Sequence, residues 1–229
     1  MSKPAFQEEL TTAEVEDWTA LRRRMVDQQL IPRGIADLHV LNAMREVPRH
    51  LFVPVDLWDQ AYEDWPLSIG FGQTISQPLT VAYMAQALRL RGFERVLEVG
   101  AGSGYGAAVL SRIARHVHTV ERIPELANRA TNKLAELGYR NVDVHQDDGT
   151  LGLPAYAPFD AIVVAAGAEQ LPPPYLDQLA PNGRILIPIG DRTNGQRLMR
   201  FTKRADEVLE ENLGRFAFVP LLGKFGWES

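Results

Sequence analysis

The chain contains no cysteine and no long apolar run. The absence of cysteine from its 229 residues excludes a disulfide framework and thiolate chemistry. No segment approaches the ~20 apolar residues of a membrane-spanning helix, and the polar, acidic first residues lack the apolar core of a secretory signal. The net charge of −5 disfavours a protein that coats nucleic acid, because such proteins are usually basic. These absences favour a cytoplasmic enzyme with no membrane or nucleic-acid partner.

The most informative stretch covers residues 95–121. It reads as an apolar strand (96–99), a glycine turn (100–104), a helix (105–114) and a second apolar strand (117–120) that ends at Glu121. This order predicts a βαβ unit of a parallel sheet. The glycines allow a tight turn and let the backbone approach a ligand closely. Glu121 follows by about twenty residues, where a carboxylate can accept both ribose hydroxyls, so the unit is predicted to hold a nucleoside.

The glycine spacing and a nearby acid indicate which nucleoside the unit is predicted to bind. Gly100-x-Gly102-x-Gly104 differs from the dinucleotide fingerprint G-x-G-x-x-G, although Gly102-x-Gly104-x-x-Ala107 satisfies its looser form. Glu98, inside the strand end, would repel a pyrophosphate but suits a ligand that carries a cationic amino group and a sulfonium. The segment resembles motif I and the following acidic residue of class I S-adenosylmethionine-dependent methyltransferases.

The residues before this unit are predicted to form a helical lobe. Residues 1–17 are expected to be a loosely ordered acidic lead-in. Apolar residues recur at helical spacing over 18–30, with an arginine triplet opposite, and again over 35–47, which predicts two amphipathic helices. Residues 18–229 are expected to be one domain, with a helical lobe and substrate loop over 18–92 and the cofactor-binding sheet over 93–229.

A second informative stretch covers residues 67–87. Two glycines open a loop, and Thr74-Ile75-Ser76 then leads into a helix predicted from Gln77-Pro78 to Leu90. Ser76 is suitably placed to cap this helix, with proline in the first turn. A helix N-terminus with nearby hydroxyls is equally a binding site for a carboxylate. Spacing alone leaves both interpretations open.

Several blocks of the chain resemble one family, the protein-L-isoaspartate O-methyltransferases. VPRHLFVP (47–54), AYED (61–64) and IGFGQTISQPLTVAYM (69–84) are similar to its N-terminal signature, and LEVGAGSGYGAAVL to its loop for methionine and adenosine. FDAIVVAAGA, GRILIPIG and RFAFVPLLG are similar to its later strands. The resemblance covers residues 25–223. One departure is Asp147-Asp148-Gly149, where the family commonly has Gly-Asp-Gly; this makes Asp148 the matching acid.

The later elements complete the predicted sheet. A helix is predicted over 124–138 and strands over 142–145, 159–166 and 184–189, with a short helix starting in the proline run 172–174. Two further strands, 196–203 and 215–221, have no crossover helix between them, which indicates antiparallel pairing at the sheet edge. The predicted fold is therefore the class I methyltransferase fold, a Rossmann-like doubly wound α/β sheet of seven strands with an antiparallel edge hairpin.

The resemblance implies the reaction and the site. S-adenosylmethionine would be the cofactor, and isoaspartyl residues of damaged proteins and peptides the substrate. Ser76 would be catalytic, with Thr74 and Ile75 shaping the substrate pocket. The predicted cofactor-binding residues are Glu98, Gly100, Ala101, Gly102, Ser103, Gly104, Glu121, Asp148 and Gly149. A monomer is expected. The rival interpretations are a class I methyltransferase for another carboxylate or for nucleic acid, and a non-catalytic nucleoside-binding module.

Histidine is the one residue type that could suggest a metal. His116-x-His118 would point to one face of a strand, but no further ligand stands at a useful spacing along the chain. No metal site is therefore predicted. His50 and His145 are as well explained by structural roles.

Overall fold

The computed structural model describes residues 12–191 and 195–228. The helices are α1 Thr12–Met25, α2 Leu38–Glu46, α3 Pro78–Ala87, α4 Tyr105–Ser111, α5 Pro124–Glu136 and α6 Pro173–Asp177. The strands are β1 Leu67–Gly70, β2 Gln73–Ile75, β3 Arg95–Val99, β4 His116–Glu121, β5 Val142–Gln146, β6 Phe159–Val164, β7 Leu179–Asp191, β8 Gly195–Lys203 and β9 Val208–Phe216. Strands β1 and β2 form a separate hairpin, and the other seven form one sheet.

The sheet has the predicted class I methyltransferase topology. Its strand order is β5-β4-β3-β6-β7-β8-β9, with parallel pairing from β5 to β7. Strand β3 is buried along almost its whole length, which explains its continuous apolar run. The chain moves outward from β3 to β5 and then returns to place β6 on the other side of β3. The carboxyl ends of β3 and β6 therefore form the topological switch point where such sheets bind ligands.

The antiparallel edge confirms the predicted pairing but not the predicted last strand. Strand β9 spans Val208–Phe216, not 215–221, and pairs with β8 through a tight turn in which the Arg204 amide donates to Glu207 O. The sequence missed it because β9 is exposed along most of its length and so lacks an apolar alternation. After Phe216 the chain leaves the edge hairpin, and Pro220 forms an isolated parallel bridge with Gly167.

The helical lobe is present, with shifted boundaries. Helix α1 begins at Thr12, before the predicted start at Trp18, so part of the predicted lead-in is helical, and residues 1–11 lie outside the described residues. Helix α2 begins after Asp37, whose carboxylate accepts from the amides of His39 and Val40. This cap leaves Ile35 before the helix, and Leu38, one of the apolar residues that recur over 35–47, is 71% exposed.

Strand β7 runs to Asp191 and β8 begins at Gly195. Residues 192–194 lie outside the described part. Among the described residues, no helix combines the length and apolar character needed to cross a bilayer.

Candidate active site

One cavity at the switch point collects most of the residues singled out from the sequence. It lies at the carboxyl ends of β3, β4 and β6, between the glycine loop and the β1–β2 hairpin. The predicted residues that line it are Thr74, Ile75, Ser76, Glu98, Gly100, Ala101, Gly102, Ser103, Glu121 and Gly149. Gly104 and Asp148 do not line it. The predicted cofactor and substrate residues thus meet in one place, although they come from segments far apart in the chain.

The glycine loop follows β3 with backbone conformations that favour glycine. Gly100, Gly102 and Gly104 have φ of 96°, 52° and 87°, in the left-handed region where other residues are strained. The amides of Gly100 and Ala101 donate to Val120 O, which ties the loop to β4. Gly104 faces away from the cavity: a Cβ there would lie 3.2 Å from the Leu134 side chain. Its role is therefore to let α4 begin close to α5.

The carboxyl group of Glu98 is buried at the base of the cavity. Its Oε2 accepts a 2.6 Å hydrogen bond from the Thr119 hydroxyl. Burial raises the pKa of Glu98 to about 8, with a smaller contribution from the negative charge of Glu121, while the Thr119 hydrogen bond acts in the opposite direction. A Cβ at Gly106 would collide with Glu98 Oε1, so glycine at this position makes room for the acid. A cationic ligand group would stabilise the ionised carboxylate here.

The carboxylate of Glu121 is held in place by backbone amides. Its two oxygens accept from the Gly102 and Ile123 amides, each at 2.9 Å. Because each carboxylate oxygen can accept more than one hydrogen bond, Glu121 retains acceptor capacity toward the cavity. The geometry suits recognition of a diol at the end of β4.

Ser76 lies on the hairpin side of the cavity, and of the two interpretations left open by the sequence, capping of the helix is not the one observed. Helix α3 begins at Pro78, with Gln77 at the N-cap position. Asp64 supplies the cap instead: its Oδ1 accepts from the Leu79 amide at 3.0 Å. The Ser76 hydroxyl makes no hydrogen bond to the described part of the protein and is partly exposed in the cavity. It is therefore available to a ligand.

Thr74 and Ile75 occupy opposite faces of β2. Ile75 is 4% exposed and packs in the core, whereas Thr74 is exposed at the cavity mouth. The sequence predicts only a glycine-containing loop where the structure has this hairpin. Gly70 and Gly72 have positive φ, and so does Phe71 between them, which makes the connection between the strands tight.

Asp148 ties the C-terminal segment to the end of β5. Its carboxylate accepts from the Thr150 amide and hydroxyl and from the Lys224 amide, at 2.9, 2.7 and 2.8 Å. Although burial acts to raise it, the pKa of Asp148 is lowered, because these donors stabilise the charged form. The neighbouring Asp147 is exposed, and its Oδ1 accepts from the Asp148 amide. The predicted adenosine contact of Asp148 stays a prediction.

The C-terminal segment forms a wall of the cavity that the sequence did not reveal. Val219 to Leu222 line it, in place of the expected edge strand. Gly167 fixes this segment, since its amide donates to Val219 O and its carbonyl accepts from Leu221 N and Trp227 Nε1. Pro220 and Gly223 were the available signals that a strand could not continue here.

The histidine pair has partners that the sequence did not identify. His116 and His118 lie on one face of β4, as predicted, and Asp143 of β5 lies beside them. His145 contacts His118 at 3.2 Å. Spacing along the chain did not reveal these neighbours, because parallel pairing of β4 with β5 brings together residues distant in sequence. Burial, followed by the neighbouring His116 and His145, lowers the pKa of His118 to about 4, so its imidazole is neutral at pH 7.

Comparison with known proteins identifies related chains. Residues 21–226 match the family model for protein-L-isoaspartate(D-aspartate) O-methyltransferase. The chain is 54% identical over 208 residues to protein-L-isoaspartate O-methyltransferase 1 of Syntrophobacter fumaroxidans, covering 91% of this chain and 97% of the relative. It is 53% identical over 214 residues to a protein-L-isoaspartate O-methyltransferase of Syntrophotalea carbinolica, with 93% and 98% covered.

Two solved structures with a similar fold carry the same family name. A crystal structure described as a protein-L-isoaspartate O-methyltransferase from Plasmodium falciparum, in complex with S-adenosyl-L-homocysteine, is 28% identical with a TM-score of 0.77. The match covers 88% of this chain and 98% of that one. Another structure of that name is 30% identical with a TM-score of 0.80, over 89% of this chain and 67% of the other.

Proposed function

We infer the function from one premise: the chain belongs to the protein-L-isoaspartate(D-aspartate) O-methyltransferase family. The protein is an S-adenosylmethionine-dependent methyltransferase that esterifies the free α-carboxylate of L-isoaspartyl residues in damaged proteins and peptides. The ester then closes spontaneously to a succinimide, which opens partly to normal aspartyl, so that methylation starts repair. The observation that carries this proposal is the cavity that Ser76, whose hydroxyl has no hydrogen-bond partner in the described part of the protein, lines together with the glycine loop, Glu98 and Glu121.

The residues of the glycine loop fit S-adenosylmethionine. Glu98 offers a buried carboxyl group for the ligand's ammonium, and Glu121 offers oriented acceptors for its ribose. Gly100, Gly102 and Ala165 leave space for close approach of the ligand at the switch point. When bound, the cofactor supplies a methyl group on a sulfonium, which becomes a neutral thioether once the methyl is lost.

The substrate carboxylate needs no general base. An α-carboxyl group has a pKa near ~3.5, so it is ionised at neutral pH. We propose that Ser76 donates a hydrogen bond that orients this carboxylate toward the methyl group, while Thr74 and Ile75 shape the entrance to the cavity. The new O–CH₃ bond forms as the S–CH₃ bond breaks, and no proton is transferred. Catalysis in such a site comes from alignment and exclusion of water.

The proposal also covers the cellular location of the enzyme, its oligomeric state and its range of substrates. We propose that it acts in the cytoplasm as a monomer, without a nucleic-acid partner, and that it also accepts D-aspartyl residues. A net charge of −5 and the absence of any helix fit to span a membrane among the described residues support this placement. Gel filtration with light scattering tests the monomer directly.

A matched pair of peptides tests the reaction. One peptide contains isoaspartate and the other contains aspartate at the same position, and both receive S-adenosylmethionine with a labelled methyl group. We expect base-labile label on the isoaspartyl peptide alone. Label on neither peptide, with cofactor binding intact, would refute the substrate assignment and leave a methyltransferase of another carboxylate or of nucleic acid.

A further inference from the structure

The outer edge of the sheet carries polar side chains that the methyl-transfer site does not use. They are His116 and His118 on β4, and Asp143 and His145 on β5. His116 Nε2 lies 2.9 Å from Asp143 Oδ2, and His118 Nδ1 lies 3.2 Å from His145 Nε2. His118 Nδ1 is also 3.8 Å from Asp143 Oδ2. Asp143 thus links both histidines of β4.

Strand register explains why these side chains converge. His118 is paired with Asp143 and Val120 with His145 in the parallel ladder. Because alternate residues of a strand share a face, His116 and His118 project together from β4, and Asp143 and His145 project together from β5. Glu121 ends the same β4 strand that His116 begins, and none of these cluster residues lines the active-site cavity. The cluster is therefore separate from the methyl-transfer site.

The distances match a small, four-coordinate ion. Ligand atoms bound at ~2.0–2.1 Å to a tetrahedral ion lie about 3.3 Å from one another. The separations of 2.9 Å between His116 Nε2 and Asp143 Oδ2 and of 3.8 Å between His118 Nδ1 and Asp143 Oδ2 bracket this value, and donor atoms of His116, His118 and Asp143 all lie within 4.8 Å of one another. We propose that His116, His118 and Asp143 bind one divalent transition-metal ion of the zinc class, with a solvent molecule as the fourth ligand and His145 beside His118.

The donor set selects this class of ion. Imidazole nitrogens suit zinc, copper, nickel and cobalt, whereas calcium and magnesium require oxygen ligands. Tyr156 packs on the His118 and His145 rings at 4.7 and 4.6 Å between centroids and restricts their orientation. The Asp143 side chain is 55% exposed and that of His116 31%, which leaves an entry path. The bound ion would cross-link β5, the outermost strand, to β4.

The test uses the full-length chain without a histidine tag, stripped of metal with a chelator. Co²⁺ reports geometry through its visible absorption, and Zn²⁺ binding is measured by calorimetry and by thermal unfolding. We expect one ion per chain, an absorption spectrum of four-coordinate Co²⁺, displacement of Co²⁺ by Zn²⁺, and a higher unfolding temperature with either ion, because binding to the folded state stabilises it.

Matched variants locate the ion. The double variant His116→Gln/Asp143→Asn removes the two more exposed ligands, and His39→Gln/Asp59→Asn makes the same changes at exposed residues elsewhere. Loss of even an outer-shell partner weakens metal binding by about 10–100-fold, so the first variant should bind at least about tenfold more weakly and lose the thermal shift. The control should match the wild type.

Three results would overturn the proposal. The first is that neither Co²⁺ nor Zn²⁺ binds saturably. The second is a Co²⁺ spectrum typical of octahedral, hydrated Co²⁺. The third is that both double variants bind the ion equally well. The single variant Asp143→Asn serves as a second variant if the first fails to fold by circular dichroism, and unchanged binding in it would likewise overturn the proposal. None of these readouts depends on methyl transfer, so the outcome is independent of the proposed function.

Discussion

The Asp64 carboxylate caps helix α3 by accepting the Leu79 amide at 3.0 Å. Its other oxygen accepts from Gln77 Nε2 at 2.6 Å, and Arg33 forms an ion pair with the same group. A residue in the helical lobe therefore accepts the hydrogen bond of a backbone amide in the first turn of the helix that follows Ser76. Because capping and substrate contact are assigned to different side chains, each can be tested without the other.

Removal of the Ser76 hydroxyl should affect turnover alone. We expect Ser76→Ala to lower kcat about 10²-fold, since a misaligned substrate costs about that much, while cofactor affinity and unfolding temperature stay near the wild-type values. Steady-state kinetics, calorimetry with S-adenosylhomocysteine and thermal unfolding measure the three quantities. Ser68→Ala, in the neighbouring strand β1, is the control. Equal losses of kcat and cofactor affinity would make Ser76 a structural residue.

Removal of the Asp64 carboxylate should affect stability. Loss of an N-cap costs roughly 0.5–2 kcal/mol, so Asp64→Ala should lower the free energy of unfolding by about that amount. Urea denaturation measures it. Glu63→Ala changes the adjacent, exposed acid and should have little effect. If both variants have the wild-type midpoint, Asp64 does not cap α3 in solution.

The parts of the site that the sequence predicted are local in the chain. Glu98 and Glu121 end adjacent strands joined by one short crossover, and their apolar runs, the glycines and the acids together form a recognisable pattern. The same locality predicted the positions of the buried strands along the chain, because a strand covered on both faces has a continuous apolar run.

The parts that were missed depend on long-range pairing or on exposed surface. Asp64 caps a helix that begins fourteen residues later, and no spacing rule connects the two. Asp143 reaches His116 only through strand register. Strand β9 is exposed on both faces, so no periodicity marks it. In the first two cases the cause is a tertiary contact, and in the third it is the exposure of the strand.

The buried carboxyl group of Glu98 should make stability depend on pH. Its pKa is about 8 in the folded protein against 4.5 for the free side chain, so the folded state holds the extra proton between these values. Stability of the cofactor-free protein should therefore fall as pH rises from 4.5 to 8, with the whole penalty present above 8. Glu98→Gln should remove this loss, on the order of a few kcal/mol.

Urea midpoints at pH 5 and pH 9 provide the measurement. The variant should resemble the wild type at the lower pH and exceed it at the higher one. Glu125→Gln, an exposed acid in the first turn of α5, should keep the wild-type dependence. Parallel pH curves for wild type and Glu98→Gln would show that Glu98 is ionised throughout.

Asp148 should hold the C-terminal wall of the cavity closed. Asp148→Ala removes the acceptor of the Lys224 amide, and a lost hydrogen bond to a charged group is worth about 1.5–3 kcal/mol. Trypsin cleavage after Lys224 should therefore accelerate, and cofactor affinity should fall because Val219 to Leu222 no longer pack against the site. Asp147→Ala, which removes an exposed neighbour without contact to the tail, is the control. Weaker cofactor binding without faster cleavage would instead indicate direct contact between Asp148 and adenosine.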